Sequence, residues 1–307
     1  MIPQKPVIAV IGAGAVGGYY GARLAQHGFD VHLHMRSDWE TVRREGMHIQ
    51  SPDGNFDLSP KQIKAYENTS QMPPADLVIV TLKTTANDQL KDLIQPLLKP
   101  ATAILTLQNG LGNEDRLAEL FGAERVLGGM AFVCINRIGP GRIAHLDHGA
   151  IRIGEFQGDP SDRASQICAM FSASNVPCQL LANLMAGRWD KLVWNVPFNG
   201  LGAALDLTTD RLIGSKAGLA RVEKIMREVI AAAAGWGIAL PDSIIEQKLR
   251  YTRTMGAYST SMQIDRRLGR PLETEAIIGA PLKMARQMGV VTPLIENVYE
   301  LLNIIGP

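Results

Sequence analysis

Cysteine is scarce in this chain: three in 307 residues, Cys134, Cys168 and Cys178, widely spaced and in no Cys-x-x-Cys pair. That odd, scattered set argues against a disulfide framework and a thiolate zinc site, and points to a reducing, cytoplasmic setting. An excess of charge is lacking too, since 31 basic and 30 acidic side chains leave a formal +1. Such a balance gives no general footprint for nucleic acid or an anionic membrane surface, so small-molecule chemistry is expected. Internal repeats, low-complexity tracts and long charged tails are missing. The nearest approach to a long apolar run is Val7 to Ala22, which lacks charge and follows Lys5 in superficial imitation of a signal peptide or membrane anchor. Gly12, Gly14, Gly17, Gly18 and Gly21 lower its helix propensity and apolarity, and it is too short to span a bilayer comfortably. His145-Leu146-Asp147-His148 has metal-ligand residue types but sits by a hairpin turn without a second cluster, so no metal is expected.

What is present is enough apolar material, 46% of residues, to bury a sizeable core in about two domains. The first half alternates short β-branched runs with helical patterns, as parallel βαβ units do. Val7–Ile11, Val31–Met35, Leu77–Leu82 and Ala103–Leu107 read as strands. Gly18–Gln26, Trp39–Arg44, Asn87–Leu98 and Asn113–Phe121 read as crossover helices, with Pro100 ending one of them. From Arg125 to Gly154, strand-like runs separated by Gly139-Pro140-Gly141 and His148-Gly149 suggest antiparallel hairpins. Beyond about Leu184 helical stretches dominate: Leu219–Ala234, Ser243–Met255 and Ala276–Met288. The expected fold is α/β, an N-terminal Rossmann-type doubly wound sheet over residues 1–182 followed by an all-α C-terminal domain over residues 183–307.

The run Val7-Ile8-Ala9-Val10-Ile11 leads directly into Gly12-Ala13-Gly14-Ala15-Val16-Gly17 and then a helix. That context makes G-x-G-x-x-G informative. The first glycine permits the tight turn, the second lets the backbone approach a pyrophosphate, and the third allows close helix-to-strand packing, while the helix N-terminus offers N–H donors. At the end of the second strand, His34-Met35-Arg36-Ser37 carries no acid for a ribose 2′-hydroxyl but offers a cation and a hydroxyl for a 2′-phosphate, which favours NADP(H). A solvent-facing arginine is the bland alternative, and Asp38 complicates the assignment, since a one-turn shift would bring it towards the ribose.

In the second half, Arg188-Trp189-Asp190-Lys191-Leu192-Val193-Trp194-Asn195-Val196-Pro197-Phe198-Asn199 begins as a helix and places Lys191, Asn195 and Asn199 at successive i, i+4 positions among apolar residues. A partly desolvated lysine there suits proton donation. Pro197 is expected to kink or end the helix, leaving the location of Asn199 open.

Five segments, in their order and spacing, resemble the 2-dehydropantoate 2-reductase (ketopantoate reductase) family along essentially the whole chain. They are Gly12–Gly17, Thr81-Leu82-Lys83, Gln108-Asn109-Gly110-Leu111-Gly112, Lys191–Asn199, and Ser259–Glu273 ending in Gly269-Arg270-Pro271-Leu272-Glu273. The resemblance implies an NADP-dependent oxidoreductase of pantothenate biosynthesis with its small-molecule 2-oxo acid bound in a cleft between the domains, needs no nucleic acid or membrane, and allows a homodimer. It further implies that Lys191 is the catalytic lysine and Glu273 the active-site glutamate. Asn109, Asn195, Asn199 and Ser261 match polar substrate-cleft positions, while Lys83 and Arg36 match cofactor-side basic residues and Asn109 also meets the cofactor. Alignment of Arg270-Pro271 with the family's Arg-Pro-Thr-Glu pattern selects Glu273, with Glu275 serving if the helix starts differently.

The chain departs from the family pattern where Gly200 follows Asn199 in place of a proline, where Thr209 stands for a substrate-contacting asparagine, and where Ile278 replaces a frequent asparagine. Trp194, Pro197 and Phe198 also make the Lys191 helix bulkier than usual. Two further readings therefore stand beside reduction of 2-dehydropantoate. One is a related NADP-dependent 2-oxo acid or carbonyl reductase; the other is a non-catalytic NADP(H) sensor, against which Lys191 and Glu273 argue.

Overall fold

A computed structural model describes residues 2–306, which divide into two compact units. The first comprises the chain to Gln108 and Asn113–Leu184; the second comprises Asn109–Gly112 and the chain from Met185 onward.

The first unit runs β1 (Val7–Ile11), α1 (Ala15–His27), β2 (Asp30–His34), α2 (Trp39–Glu45), β3 (Met47–Gln50), β4 (Phe56–Leu58), β5 (Ile63–Tyr66) and β6 (Ala75–Val80). It continues through α3 (Leu90–Ile94), β7 (Leu98–Thr106), α4 (Asn113–Phe121), β8 (Val126–Gly139), β9 (Arg142–Glu155), α5 (Asp162–Ala173) and β10 (Cys178–Leu180). The strands form one ten-stranded sheet in the order β4-β3-β9-β8-β7-β6-β1-β2-β5, with β10 pairing on β9. From β5 to β8 all pairs are parallel, whereas β8 and β9 form a long antiparallel hairpin.

Both faces of the central strands are covered, which is why their sequences are apolar without alternation. Ile8, Val10, Leu77 and Ile79 join one core with Leu24 of α1 and Phe171 of α5. Their neighbours Ala9, Ile11, Val78 and Val80 join the opposite core with Leu90 of α3 and Leu117 of α4. This is the doubly wound arrangement. Helix α1 is buried without interruption from Gly17 to Ala25. A Cβ on Gly21 would meet Leu33 of β2 at 2.8 Å, and one on Gly18 would meet Ile143 of β9 at 2.5 Å. The sheet therefore holds this helix from two sides, which accounts for its small residues.

In the second unit, α6 (Leu184–Leu205, its first residue belonging to the first unit), α7 (Thr209–Gly214), α8 (Lys216–Gly235), α9 (Ile244–Met255) and α10 (Ser261–Arg267) are followed by a π-helical turn, Glu275–Gly279. Then come α11 (Ala280–Gln287) and α12 (Pro293–Ile305). Val222, Ile225, Met226, Val229 and Ala233 of α8 form a stripe at helical spacing that packs with Leu192, Val193 and Val196 of α6.

Strands β3, β4 and β5 are additional to those expected; each has only three or four residues, β3 takes its place from distant β9, with His48 paired to Arg142, β4 folds back on β3, and β5 pairs with β2. Three sequence expectations need correction. His148-Gly149 does not separate two hairpins but forms a bulge within β9, with left-handed φ of 64° and 123° and a shift of register against β8. Asn87–Leu98 is not one helix: α3 lies between two 3-10 turns, and Leu98 already begins β7. Pro197 does not end its helix, for α6 continues to Leu205. An interior proline costs about 3 kcal/mol. Burial of Val196, Phe198 and Leu201 around it offsets that cost. Among the described residues no helix is long and apolar enough to cross a membrane.

Candidate functional site

In the first unit, β1, β2 and β6 end level with one another, Ile11 lying beside His34 and Val80. The glycine loop emerges at that edge, where ligands of open α/β sheets bind. Its three glycines have three separate reasons. Gly12 has φ +79°, and a Cβ there would lie 2.6 Å from the Leu82 side chain. A Cβ on Gly17 would lie 2.2 Å from Thr81 Oγ1 and 2.9 Å from Val10, so only glycine lets α1 approach the sheet. A Cβ on Gly14, by contrast, would meet nothing nearer than 3.9 Å. Protein packing does not demand that glycine, and the open space before it leaves room for a closely passing ligand. Gly14 is exposed, Ala15 and Val16 are half-buried, and Ala13 is buried with its N–H donated to the His34 carbonyl at 2.9 Å. The first-turn N–H groups of α1, preceded by an N-cap without a side chain, suit a pyrophosphate. These features fit a dinucleotide.

Thr81, within the flagged Thr81-Leu82-Lys83 segment, has a role beyond spacing: its hydroxyl bonds to the carbonyls of Ile11 and Gly12 at 3.0 Å each, fixing the entrance to the loop. Arg36 is exposed just beyond β2, and Lys83 is exposed just beyond β6. Asp38 is nearly buried, at 4% exposure, and engaged elsewhere: Arg137 of β8 grips it bidentately at 2.6 and 2.7 Å. Nothing in residue spacing could reveal Arg137, which lies 99 positions away.

The second unit gathers the polar residues. Lys191 Nζ donates to Asn109 Oδ1 at 2.8 Å. Part of the lysine side chain stays accessible, but protein encloses the ammonium, and this burial pushes its pKa down to about 7. The Arg188 guanidinium adds to the effect, the Glu273 carboxylate opposes it, and Lys248 contributes in the first direction. Glu273 is buried at 3% exposure and acts directly in the field of the lysine. Glu275 is exposed and accepts a bond from the Tyr299 hydroxyl at 2.6 Å. Asn195 and Asn199 are buried one and two turns beyond Lys191 on α6. Asn199 Oδ1 receives Ser261 Oγ and the Met262 N–H, both at 3.4 Å. Buried Arg188, whose charge acts on Lys191, is a neighbour that residue spacing does not single out.

Asn109 reaches this cluster because the Leu111 N–H bonds to the Ala276 carbonyl in the π-helical turn at 2.9 Å. Intervening Gly110 has φ +86° and runs against that turn so closely that a Cβ would sit 2.1 Å from the same carbonyl oxygen. An enclosed ammonium titrating near neutrality, held by an amide oxygen and a carboxylate's field, can give a proton to a developing alkoxide.

Of the three departures, Ile278 is fully buried in the helical core, and a Cβ on Gly200 would meet Val298 at 2.4 Å and Ile278 at 3.1 Å. Those two residues answer each other in packing. Thr209 is also fully buried, its hydroxyl donating to the Gly256 carbonyl at 3.1 Å. No group of three or more potential metal ligands occurs among the described residues.

Residues 8–158 match the sequence profile described as ketopantoate reductase PanE/ApbA, and residues 183–306 match its C-terminal counterpart. A 2-dehydropantoate 2-reductase from Nostoc sp. is 44% identical over 299 residues, covering 96% of this chain and 93% of the relative. The crystal structure of 2-dehydropantoate 2-reductase from Geobacter metallireducens is similar with a TM-score of 0.94 and 44% identity, over 97% of this chain and 99% of that one. The enzyme of the same name from Methylococcus capsulatus gives 0.88 and 33%, over 97% and 96%. With its glycine cradle and lysine cluster in the places described, the chain belongs to the ketopantoate reductase PanE/ApbA family.

Proposed function

We propose that this protein is a nicotinamide-dependent oxidoreductase that reduces 2-dehydropantoate to pantoate with NADPH, a step towards pantothenate. The observation that carries the reading is Lys191, whose enclosed ammonium titrates near neutrality and bonds Asn109. When bound, the cofactor supplies a hydride from C4 of its nicotinamide to the ketone carbon. Lys191 stabilises the oxygen as charge builds there and gives it a proton. Glu273 holds the lysine's proton affinity up, Ser261 hydrogen-bonds the substrate carboxylate, and Asn109, Asn195 and Asn199 orient hydroxyl and carbonyl groups. The preference for NADPH over NADH rests on Arg36, with Lys83 adding positive charge at the same strand edge. All three thiols are free, in keeping with a reducing cytoplasm.

A second reading differs in substrate and is favoured by one cluster. Trp194, one turn along from Lys191 and still partly exposed, stacks on Phe198 at 4.8 Å and lies 6.4 Å from the Tyr258 ring. An aromatic wall beside the lysine suits a 2-oxo acid with a larger apolar substituent. Both readings are tested by ranking kcat/KM with NADPH over 2-dehydropantoate, 2-oxoisovalerate and phenylpyruvate. The first expects 2-dehydropantoate to lead; a lead for phenylpyruvate supports the second, and no NADPH oxidation with any of them overturns both.

The cofactor assignment makes its own prediction. Arg36→Glu should weaken NADP+ by about 10- to 100-fold, through loss of a charge-assisted contact and gain of a repulsion, while leaving NAD+ within about threefold. Calorimetric Kd values for the two cofactors measure this. Equal weakening would remove Arg36 from the 2′-phosphate.

A further inference from the structure

The end of β2 presents charges of both signs, Arg36 and, two residues later, Asp38. A free carboxylate there would serve NAD, by accepting from the ribose 2′-hydroxyl, and would repel the phosphate of NADP. This carboxylate is held fast. Arg137 Nε and Nη2 bond its two oxygens at 2.7 and 2.6 Å, the Gly141 N–H reaches one of them at 3.3 Å, and Ser37 Oγ donates to the other at 2.9 Å. One arm of the hairpin and its turn thus close on one side chain: Arg137 lies on β8 and Gly141 in the turn just before β9. The pair sits in a small recess lined also by Ala13 and Gly14, so it adjoins the loop that takes the pyrophosphate. A bidentate guanidinium–carboxylate pair is both neutral and rigid.

We infer that Arg137 is a positioning residue for cofactor choice: by holding and neutralising Asp38 it leaves Arg36 as the net charge at the end of β2, and so keeps the site selective for the 2′-phosphorylated dinucleotide. This rests on the proposed role of Arg36. With Arg137 the three side chains sum to +1; without it they sum to zero and the carboxylate is free to turn. The Asp38 signal that reads as ambiguous in the sequence is cancelled by a residue on a remote hairpin.

The test is calorimetric binding of NADP+ and NAD+, which needs no turnover. Arg137→Met should raise the ratio of the NADP+ Kd to the NAD+ Kd by about tenfold or more. Arg137→Lys, a point charge without the fork, should shift it part of the way. The double variant Arg137→Met/Asp38→Asn, which keeps an oxygen for the Gly141 N–H, should return the ratio to within about threefold of wild type. A merely structural role for Arg137 would weaken both cofactors alike and leave the ratio unmoved. An unmoved ratio in folded Arg137→Met, or no recovery in the double variant, overturns the inference. If Arg137→Met fails to fold, an unmoved ratio in Arg137→Lys overturns it instead. Arg36→Glu run in parallel separates the two levels. Equal weakening of both cofactors there removes the Arg36 reading and this inference together, whereas a shift with Arg36→Glu and none with Arg137→Met removes this inference alone.

Discussion

Lys191→Met is expected to lower kcat by about 10²- to 10⁴-fold, the usual share of a general acid, while the NADP+ Kd stays within about twofold. Reduction requires the ammonium form. With a pKa of about 7 in the folded protein, kcat/KM should fall about tenfold per pH unit above pH 7. Because the Glu273 carboxylate raises that value, Glu273→Gln should move the break to lower pH. Stability carries the same signature. An unfolded lysine titrates near pH 10.4, so the folded protein bears the full cost of enclosing this charge below about pH 7 and progressively less as pH rises towards the unfolded value. The thermal midpoint of Lys191→Met relative to wild type should therefore be most favourable at pH 6 and decline in alkali. A flat kcat/KM from pH 6 to 9, or full turnover in Lys191→Met, would contradict the assigned role.

Gly110→Ala should reduce kcat/KM by about 100-fold without touching a chemical group, the cost of moving a positioned group by about 1 Å. At φ +86° an alanine is disfavoured by about 1–2 kcal/mol. Its Cβ would also fall 2.1 Å from the Ala276 carbonyl oxygen, a backbone atom that cannot swing aside. The loop must lift, which breaks the Leu111 N–H bond to that carbonyl and draws Asn109 away from Lys191. Asn109→Ala gives the matching control: it should lose similar activity with a smaller fall in thermal midpoint, because the loop's backbone contact survives. Wild-type kinetics in a folded Gly110→Ala variant would show that the Asn109 contact is dispensable.

What the sequence discloses in this protein is what is local. β1, the glycine loop and α1 are contiguous, so their types and spacing state the geometry directly, and the central strands betray burial on both faces by their lack of alternation. The stripe of Lys191, Asn195 and Asn199 is equally local, one residue per helical turn. What remains hidden depends on distant partners. Three or four mixed residues do not mark a strand until β9 pairs with them, as β3 illustrates. Pro197 reads as a kink or an end of the helix because local backbone cost is visible and tertiary packing is not. Asn109 meets Lys191 across 82 residues and Asp38 meets Arg137 across 99, and no periodicity encodes either encounter. Asn109 lies in a family motif, whereas only the fold brings Arg137 to Asp38.

Asn109–Gly112 belong to the helical unit although the ribosome makes them amid the first. At about 5–20 residues per second on the ribosome, roughly 4–16 s separate synthesis of the amide acceptor from that of its lysine donor, 82 positions later. The carbonyl of Ala276 that anchors the loop emerges later still. The nascent first unit thus carries a short segment whose partners do not yet exist, and a release just after Leu184 would yield a chain with its glycine cradle encoded and Lys191 unmade. The Lys191–Asn109 contact therefore forms only late in synthesis.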